Sequence, residues 1–462
     1  MKIERFEVPG LAQYSYVLSS EGKAVVIDPM RDVDRYVTYA KKQNLEITDV
    51  LETHIHADFT SGSTALAHET GAELWLSAHD AGEEYQYGFK HQRFADGETL
   101  EVGTMRIQAV HTPGHTPEHL SFLVFDTARN ADEPQAIFSG DFLFVGSFGR
   151  PDLLGEQAKQ RLASALFTSM HDKLTSLPAG LEVHPGHGAG SLCGSGMTEQ
   201  AQSTLGYERA SNHLFTLDRA AFQKEVLETV PPLPSYYPRM KELNSRGPAV
   251  LEELPGGEAV SPQQLQKMMA EESLILLDLR RPEAYGGAHI RGALNIGAGP
   301  NLSLWAGWLL DPKKPIILIS ENGENTEACK SLTRVGLDNI RGSLAGGMPA
   351  WIEAGLELEH VSQISVRQLY EGEATGTVLD VRSDAEWNEG HIANAHHIML
   401  GDLKNKLQSL PSQQPIFTFC GSGYRSSIAA SILAGRGFTR VVNVDGGMTA
   451  WKRQKLPLVV TT

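Results

Sequence analysis

The stretch Thr53-His54-Ile55-His56-Ala57-Asp58-Phe59 decides how the first half of this chain folds. Two histidines two residues apart at the end of a strand can direct their imidazoles at one ion, and a carboxylate follows close behind. Further candidate ligands lie in short segments with Gly or Pro neighbours: His115 in 112–116, Asp141 in 139–141 and His187 in 184–188. The order and the neighbours of these residues predict a metal centre.

This string of ligands resembles the metallo-β-lactamase superfamily and its His-x-His-x-Asp-His motif. The resemblance implies that residues 1–230 form an α/β domain, an αββα sandwich. Phe59 stands where the final histidine of the motif is expected, and phenylalanine cannot donate a lone pair. The second metal position therefore loses a ligand, which points to one metal and not two.

His54, His115 and Asp141 can form a two-histidine, one-carboxylate face that leaves coordination positions open for substrate and dioxygen. His56 is either a fourth ligand or a neighbour of the metal. Asp58 and His187 are predicted remnants of the second site that form hydrogen bonds. Imidazole and carboxylate suit both iron and zinc, so the ligands alone do not select the metal.

The composition limits the partners and the compartment. A chain of 462 residues is expected to hold roughly two to four domains. Its net charge of −16 argues against nucleic acid or an anionic membrane as a partner. Three distant cysteines give no disulfide framework, and neither a signal peptide nor a membrane-spanning run is evident. We expect a cytoplasmic protein.

The second half of the chain is a duplication that follows a predicted linker at 231–261. Four prolines within 231–238 indicate a stiff connector. Beyond it, Leu277-Asp278-Leu279-Arg280 matches Leu379-Asp380-Val381-Arg382, 102 positions later. The Gly-Gly-Met-x-Ala-Trp segments at 346–351 and 446–451 match in the same way. We therefore expect two α/β domains with parallel sheets, at 262–358 and 364–462.

In the second copy, a strand runs into the loop Cys420-Gly421-Ser422-Gly423-Tyr424-Arg425 and then into a helix. A cysteine at a helix N-terminus lies among backbone N–H donors, which lower the thiol pKa and favour the thiolate. The loop resembles the six-residue active loop of the rhodanese (sulfurtransferase) family. That resemblance implies Cys420 and Arg425 as catalytic residues and the residues from Gly421 to Tyr424 as the substrate cradle.

In the first copy, the corresponding loop starts at Ser320, and Asn325 stands at the position of the arginine. A serine hydroxyl cannot carry a sulfane sulfur, so this copy is predicted to be catalytically silent. Cys329, in the following helix, is interpreted as a small buried hydrophobe.

The three-part order, with a silent middle domain, resembles the bacterial persulfide dioxygenase–rhodanese fusions, over nearly the whole chain. Those dioxygenases use mononuclear Fe(II), which implies one Fe(II) per chain held by His54, His115 and Asp141. The implied reactants are a low-molecular-weight thiol persulfide and O2, which give sulfite and the free thiol. Sulfur transfer at Cys420 then converts sulfite into thiosulfate, for detoxification of sulfide and persulfide.

The same resemblance suggests roles for two further residues. Arg150 either contacts the anionic part of the persulfide or forms a structural ion pair. Cys193 is either a relay or sensor of persulfide sulfur or a buried bystander. Because superfamily relatives often pair, we expect a homo-oligomer, a dimer or a tetramer.

Two other functions are compatible with parts of the pattern. One is a thioester hydrolase resembling glyoxalase II, with rhodanese domains that respond to sulfur; that family uses two metals, and Phe59 argues against it. The other is a non-catalytic persulfide carrier or sensor whose metal is structural.

Overall fold

The computed structural model describes residues 1–372, 375–411 and 413–460. The chain divides into two compact units, Met1–Glu252 with Thr333–Gly336, and Glu253–Leu332 with Leu337–Thr462. In the described part of the chain, no helix is both long and apolar enough to cross a membrane.

The first unit is built on two six-stranded sheets. The first sheet has its strands in chain order, β1 (Lys2–Val8), β2 (Gln13–Ser20), β3 (Lys23–Ile27), β4 (Glu46–Leu51), β5 (Glu73–Ser77) and β6 (Gln92–Phe94). The second sheet has the order β12 to β7, formed by β7 (Thr99–Val102), β8 (Met105–His111), β9 (Leu120–Asp126), β10 (Ala136–Gly140), β11 (Glu182–Pro185) and β12 (Ser203–Thr204). Pairing is antiparallel from β1 to β3 and from β7 to β10, and parallel from β3 to β6.

Alternation of side chains along the strands lets the two sheets pack face to face. In β2, Tyr16 and Leu18 join a core that includes Phe122 and Phe138 of the second sheet, whereas Val17 packs on the other side. The outer faces are covered by helices α1 (Asp34–Gln43), α2 (Ser63–Thr70), α3 (Glu156–Ser169), α4 (Leu205–Ser211) and α5 (Arg219–Glu228). This arrangement confirms the predicted αββα sandwich.

The segment 231–261, predicted to be a linker, contains the ten-residue helix α6 (Tyr237–Arg246). Its proline lies in the first turn, where a missing N–H breaks no helical hydrogen bond. The buried residues follow helical spacing: Tyr237, Met240, Lys241, Asn244 and Ser245. The linker prediction is therefore corrected for this part of the segment, and α6 belongs to the first unit.

The second unit contains two five-stranded sheets of the same topology. The first has the order β13-β17-β16-β14-β15, with β13 (Ala259–Val260), β14 (Ile275–Asp278), β15 (Leu294–Asn295), β16 (Ile316–Ile319) and β17 (Ile340–Leu344). The second has the order β18-β22-β21-β19-β20, with β18 (Ser362–Ser365), β19 (Thr377–Asp380), β20 (His396–His397), β21 (Ile416–Phe419) and β22 (Val441–Asp445). Every pairing is parallel, which confirms the predicted parallel sheets.

Helices surround these sheets in matching positions. The first copy has α7 (Pro262–Glu271), α8 (Pro282–Gly287), α9 (Leu302–Leu309), α10 (Thr326–Thr333) and α11 (Gly347–Glu353). The second has α12 (Val366–Tyr370), α13 (Asp384–Asn388), α14 (Leu403–Lys406), α15 (Tyr424–Gly435) and α16 (Gly447–Arg453). Strand order and helix positions thus agree with a duplicated domain.

Candidate metal centre and sulfur-transfer loops

The three candidate ligands His54, His115 and Asp141 each follow the end of a different strand, β4, β8 or β10. Asp28, just after β3, binds the segment that follows β4 and carries His54. Its carboxylate accepts hydrogen bonds from the backbone N–H of Thr53 at 2.7 Å and from the Thr53 hydroxyl at 2.8 Å. Connections from both sheets therefore meet at one point.

One ligand atom from each of these three residues lies within 4.8 Å of the other two, and all three side chains are buried. Oδ2 of Asp141 is 3.8 Å from Nε2 of His54 and 3.4 Å from Nε2 of His115. Among the described residues, none of these three atoms has a hydrogen-bond partner. Buried polar atoms without partners are costly. Two imidazoles and a carboxylate with unused lone pairs fit a metal cation.

The protonation of the two histidines also suits a metal. Burial, reinforced by neighbouring histidines, lowers the pKa of His54 and of His115 well below the ordinary value, so both imidazoles are neutral. Nδ1 of His115 lies 2.9 Å from the backbone carbonyl oxygen of Arg150, which can only accept a hydrogen bond. Nδ1 of His115 therefore carries the proton, and its Nε2 keeps the lone pair that faces Asp141.

His187 connects two aspartates of this region. Its Nδ1 lies 2.7 Å from Oδ1 of Asp141, and its Nε2 lies 2.8 Å from Oδ2 of Asp58. Burial opposes protonation of this imidazole, but the two carboxylates outweigh burial and raise the pKa of His187 well above its ordinary value. In the structure, His187 therefore holds Asp141 by a hydrogen bond, with both ring nitrogens engaged.

His56 lies beside the three converging ligands. Its Nε2 is 3.2 Å from Oδ1 of Asp28, and its ring centroid is 4.3 Å from that of Phe59. Phe59 is fully buried, so hydrocarbon fills the place of the last motif residue. Ligation of the metal by His56 stays a prediction.

Arg150 is buried and its guanidinium is occupied by protein acceptors. Nε and Nη2 donate to the carboxylate of Asp152 at 2.7 and 2.8 Å, and Nη1 donates to the backbone carbonyl of Leu192 at 2.9 Å. These contacts match the structural ion-pair alternative. Contact of Arg150 with an anionic substrate stays a prediction.

Cys193 is buried close to the metal centre. One ligand atom each of Cys193, Asp58 and His187 lies within 4.8 Å of the others. Burial, followed by the nearby Asp58 and Asp141 carboxylates, raises the pKa of the Cys193 thiol well above its ordinary value. Its sulfur is 4.0 Å from the Tyr237 hydroxyl of α6. A relay role for this thiol stays a prediction.

Helix α6 holds the backbone of the 53–59 motif, which the sequence did not lead us to expect. Nδ2 of Asn244 donates to the carbonyl oxygens of His56 and Phe59, at 2.8 Å each, and its Oδ1 accepts from the N–H of Ser61 at 2.9 Å. Two further bonds come from the Tyr236 hydroxyl to the Asp58 carbonyl and from the Lys241 ammonium to the Ile55 carbonyl. The sequence carried little signal for this helix, because three of its five buried residues are polar (Lys241, Asn244 and Ser245) and prolines precede it.

Cys420 lies directly after β21, at the start of the loop that leads into α15. Its buried sulfur accepts a hydrogen bond from the N–H of Gly423 at 3.2 Å and lies 3.4 Å from the Ser426 hydroxyl. Gly423 has φ of 110°, a conformation that glycine adopts readily and that turns the loop back to the sulfur. Cys420 therefore lies at a helix N-terminus, where backbone N–H groups face an anion.

The first copy keeps this loop geometry without the sulfur. Oγ of Ser320 accepts a hydrogen bond from the N–H of Gly323 at 3.0 Å, just as the sulfur of Cys420 accepts one from Gly423. Cys329 is buried on α10, and burial raises its pKa to about 11. Neither Ser320 nor Cys329 thus presents a thiolate at the loop.

Arg425 forms a bidentate ion pair with Glu386, with both N···O distances at 2.6 Å. Burial raises the pKa of the Glu386 carboxyl, but the hydrogen bonds and the charge of Arg425 outweigh burial and lower that pKa to about 2. The positive charge of Arg425 is therefore paired with a carboxylate. The Tyr424 hydroxyl donates at 2.9 Å to the carbonyl of Gly297 in the first copy.

Comparison with known proteins matches both parts of the chain. Residues 8–187 match the metallo-beta-lactamase superfamily, and residues 261–354 and 365–454 each match the rhodanese-like domain. A crystal structure of a metallo-beta-lactamase from Staphylococcus aureus subsp. aureus COL is 32% identical, covers 75% of this chain and 99% of that one, and has a TM-score of 0.66. The chain belongs to the metallo-β-lactamase superfamily and carries two rhodanese-like domains, which confirms the predicted fusion.

Two curated relatives carry different activities in their names. A hydroxyacylglutathione hydrolase from Polaromonas sp. (strain JS666 / ATCC BAA-500) is 32% identical over 38% of this chain, which spans 61% of that relative's length. The mitochondrial persulfide dioxygenase ETHE1 from Bos taurus is 26% identical over 47% of this chain and 76% of its own length. The chain is therefore an enzyme by its family, with relatives in a hydrolase and in a dioxygenase group.

Proposed function

We propose that this protein oxidises a low-molecular-weight thiol persulfide with O2 to sulfite at a single Fe(II), and that sulfite then takes the outer sulfur of a Cys420 persulfide to give thiosulfate. One persulfide anion, one O2 and one water give one thiol, one sulfite and one proton. The proposal places this pathway in the cytoplasm and assigns it the removal of excess sulfide and persulfide.

The proposed oxidation of persulfide rests on one observation: His54, His115 and Asp141 each have a buried ligand atom without a hydrogen-bond partner. Two imidazoles and one carboxylate would hold one iron and leave positions open. Iron in such a site supplies activation of O2 and charge stabilisation at the persulfide. Phe59 removes one nitrogen that a two-metal centre needs. The similarity to the Bos taurus persulfide dioxygenase supports the same assignment.

The chain's own residues prepare this site. His187 orients the Asp141 carboxylate, and the carbonyl of Arg150 fixes the tautomer of His115. The motif and the candidate metal ligands are buried, so bulk water has little access to the ligand atoms. Proximity of bound reactants in such a site contributes to the rate by removing the entropic cost of their encounter.

The second half uses Cys420 as a nucleophile. Its thiolate attacks the outer sulfur of a persulfide, the S–S bond of that persulfide breaks, and the thiol leaves after taking up one proton. The new Cys420 persulfide then loses its outer sulfur to sulfite, which becomes thiosulfate and restores the thiolate. The N–H of Gly423, 3.2 Å from the Cys420 sulfur, stabilises the negative charge of the thiolate.

The similarity to the hydroxyacylglutathione hydrolase supports a second candidate, thioester hydrolysis. Asp58 and His187 are retained near the metal ligands, as a second metal position would need. Phe59 is the observation against it, because the buried ring offers no donor atom.

Anaerobic purification, metal analysis and an oxygen electrode distinguish these functions. We expect iron near one per chain and O2 uptake that depends on added glutathione persulfide. Two zinc ions per chain with cleavage of S-lactoylglutathione would establish the hydrolase instead. A bound metal with neither activity would leave a carrier or sensor.

A further inference from the structure

The two rhodanese-like copies serve as an internal comparison, since one keeps the active cysteine and the other has lost it. A buried Asp–Arg pair beside each loop is retained, with N···O distances of 2.6 Å in both Asp278–Arg280 and Asp380–Arg382. The loops themselves differ at most positions, including Cys420 against Ser320, Gly421 against Glu321 and Arg425 against Asn325, and the position of Glu386 is Ala284 in the first copy. The first copy therefore lacks both the cysteine and the Arg425–Glu386 pair, whereas both copies have the Asp–Arg pair.

The Glu386 carboxylate is held by hydrogen bonds that do not involve Arg425. Glu386 closes a capping box at the start of α13, where its Oε2 accepts from the N–H of Ser383 at 3.1 Å and from the Ser383 hydroxyl at 3.0 Å. Arg425 lies in the first turn of α15 and meets both carboxylate oxygens. One end of the ion pair is thus anchored to α13 and the other to the active-loop helix.

The pair lies directly against the active loop. A Cβ atom placed on Gly421, the residue after Cys420, would be 3.1 Å from Nη2 of Arg425 and 3.8 Å from Oε1 of Glu386. The glycine therefore leaves room for the guanidinium, whereas the first copy has Glu321 there and no arginine to accommodate. Arg425 has five N–H donors, and the ion pair uses two of them. The other donors remain for an oxyanion at the loop.

We propose that Glu386 is a positioning residue for sulfur transfer at Cys420, and that it acts by holding the Arg425 guanidinium where it binds the oxyanion of sulfite or thiosulfate. This inference rests on the sulfur-transfer half of the proposed function. Without Glu386, the arginine keeps its charge but loses its fixed direction, and a misplaced oxyanion lowers the rate of transfer.

The test uses the full-length protein with thiosulfate as sulfur donor and cyanide as acceptor. The Cys420 thiolate attacks the outer sulfur of thiosulfate, sulfite leaves, and cyanide then removes that sulfur as thiocyanate. We expect Glu386→Gln and Arg425→Gln each to lower kcat/KM for thiosulfate about tenfold or more. The double variant is expected to be no worse than Arg425→Gln alone, because Glu386 acts through Arg425.

Three further measurements make the result specific. Glu386→Asp keeps the carboxylate and is expected to recover part of the loss. The rate at which Cys420 reacts with iodoacetamide, a neutral reagent, is expected not to fall in Glu386→Gln. Glu371→Gln breaks the exposed Arg367–Glu371 pair, at 2.7 Å in the same domain, and is expected to leave kcat/KM unchanged.

Wild-type kcat/KM in Glu386→Gln, or losses that multiply in the double variant, would overturn the inference. Sulfur transfer that persists in Cys420→Ser would instead overturn the proposed role of Cys420. Absence of persulfide-dependent O2 uptake concerns only the metal centre and leaves the inference about Glu386 in place.

Discussion

Nδ1 of His187 lies 2.7 Å from Oδ1 of Asp141, so one oxygen of this carboxylate is bound while Oδ2 faces His54 and His115. Bonds of this kind orient metal ligands, and their removal costs about 10- to 100-fold in metal affinity or activity. We therefore expect His187→Ala to lower iron affinity by that factor, as measured by iron content after dialysis against a chelator. His213→Ala, at an exposed histidine of the same unit, is the control, and equal iron retention in both variants would contradict the prediction.

Phe59→His restores the nitrogen donor that the motif lacks, directly after Asp58 in the sequence. We expect this variant to bind close to two metal ions per chain, whereas Phe59→Leu, which keeps an apolar side chain, stays near one. Metal analysis of both purified variants gives the answer. A value near one for Phe59→His would show that the residue at this position does not set the metal count.

Asn244→Ala removes three hydrogen bonds to the backbone of the metal-binding connection. Buried groups left without partners cost about 1–3 kcal/mol each. We expect the free energy of unfolding of the first unit to fall by at least the cost of one such group, about 1–3 kcal/mol, as measured by denaturant titration. Arg246→Ala, an exposed position on the same helix, is expected to change it by less than about 0.5 kcal/mol.

Cys420→Ser separates the two reactions. Serine cannot carry the transferred sulfur, so we expect O2 uptake to remain at the wild-type rate while sulfite accumulates in place of thiosulfate. Ion chromatography of the products measures both anions. An unchanged yield of thiosulfate would remove Cys420 from the pathway.

Ser320→Cys introduces a thiol into the first copy, where the N–H of Gly323 already faces it. In a chain that also carries Cys420→Ser, we expect this thiol to restore less than about a tenth of sulfur transfer, because Asn325 and Ala284 do not form the ion pair. Thiocyanate formation from thiosulfate and cyanide measures the recovery. Substantial recovery would mean that the cysteine alone is sufficient.

The parts of this protein that the sequence predicts are those that short segments specify. The ligands of the metal centre and the Cys420 loop stand in local strings, and the repeated Leu-Asp-x-Arg segments indicate the duplication directly. Asn244 and Glu386 escape such reasoning because their partners are distant along the chain: Asn244 meets His56 188 positions away, and Glu386 meets Arg425 39 positions away. Only the folded topology brings those pairs together.

Helix α6 also determines where the metal-binding domain, here called the module, can be cut from the rest of the chain. A chain cut after residue 230 would keep His54, His115 and Asp141 but would lose the amide of Asn244 and the hydroxyl of Tyr236. Gene fusion or laboratory recombination that transplants the module therefore needs the segment through Arg246 to travel with it. The segment from residue 231 to Arg246 therefore belongs to the metal-binding module, although it also leads to the next domain.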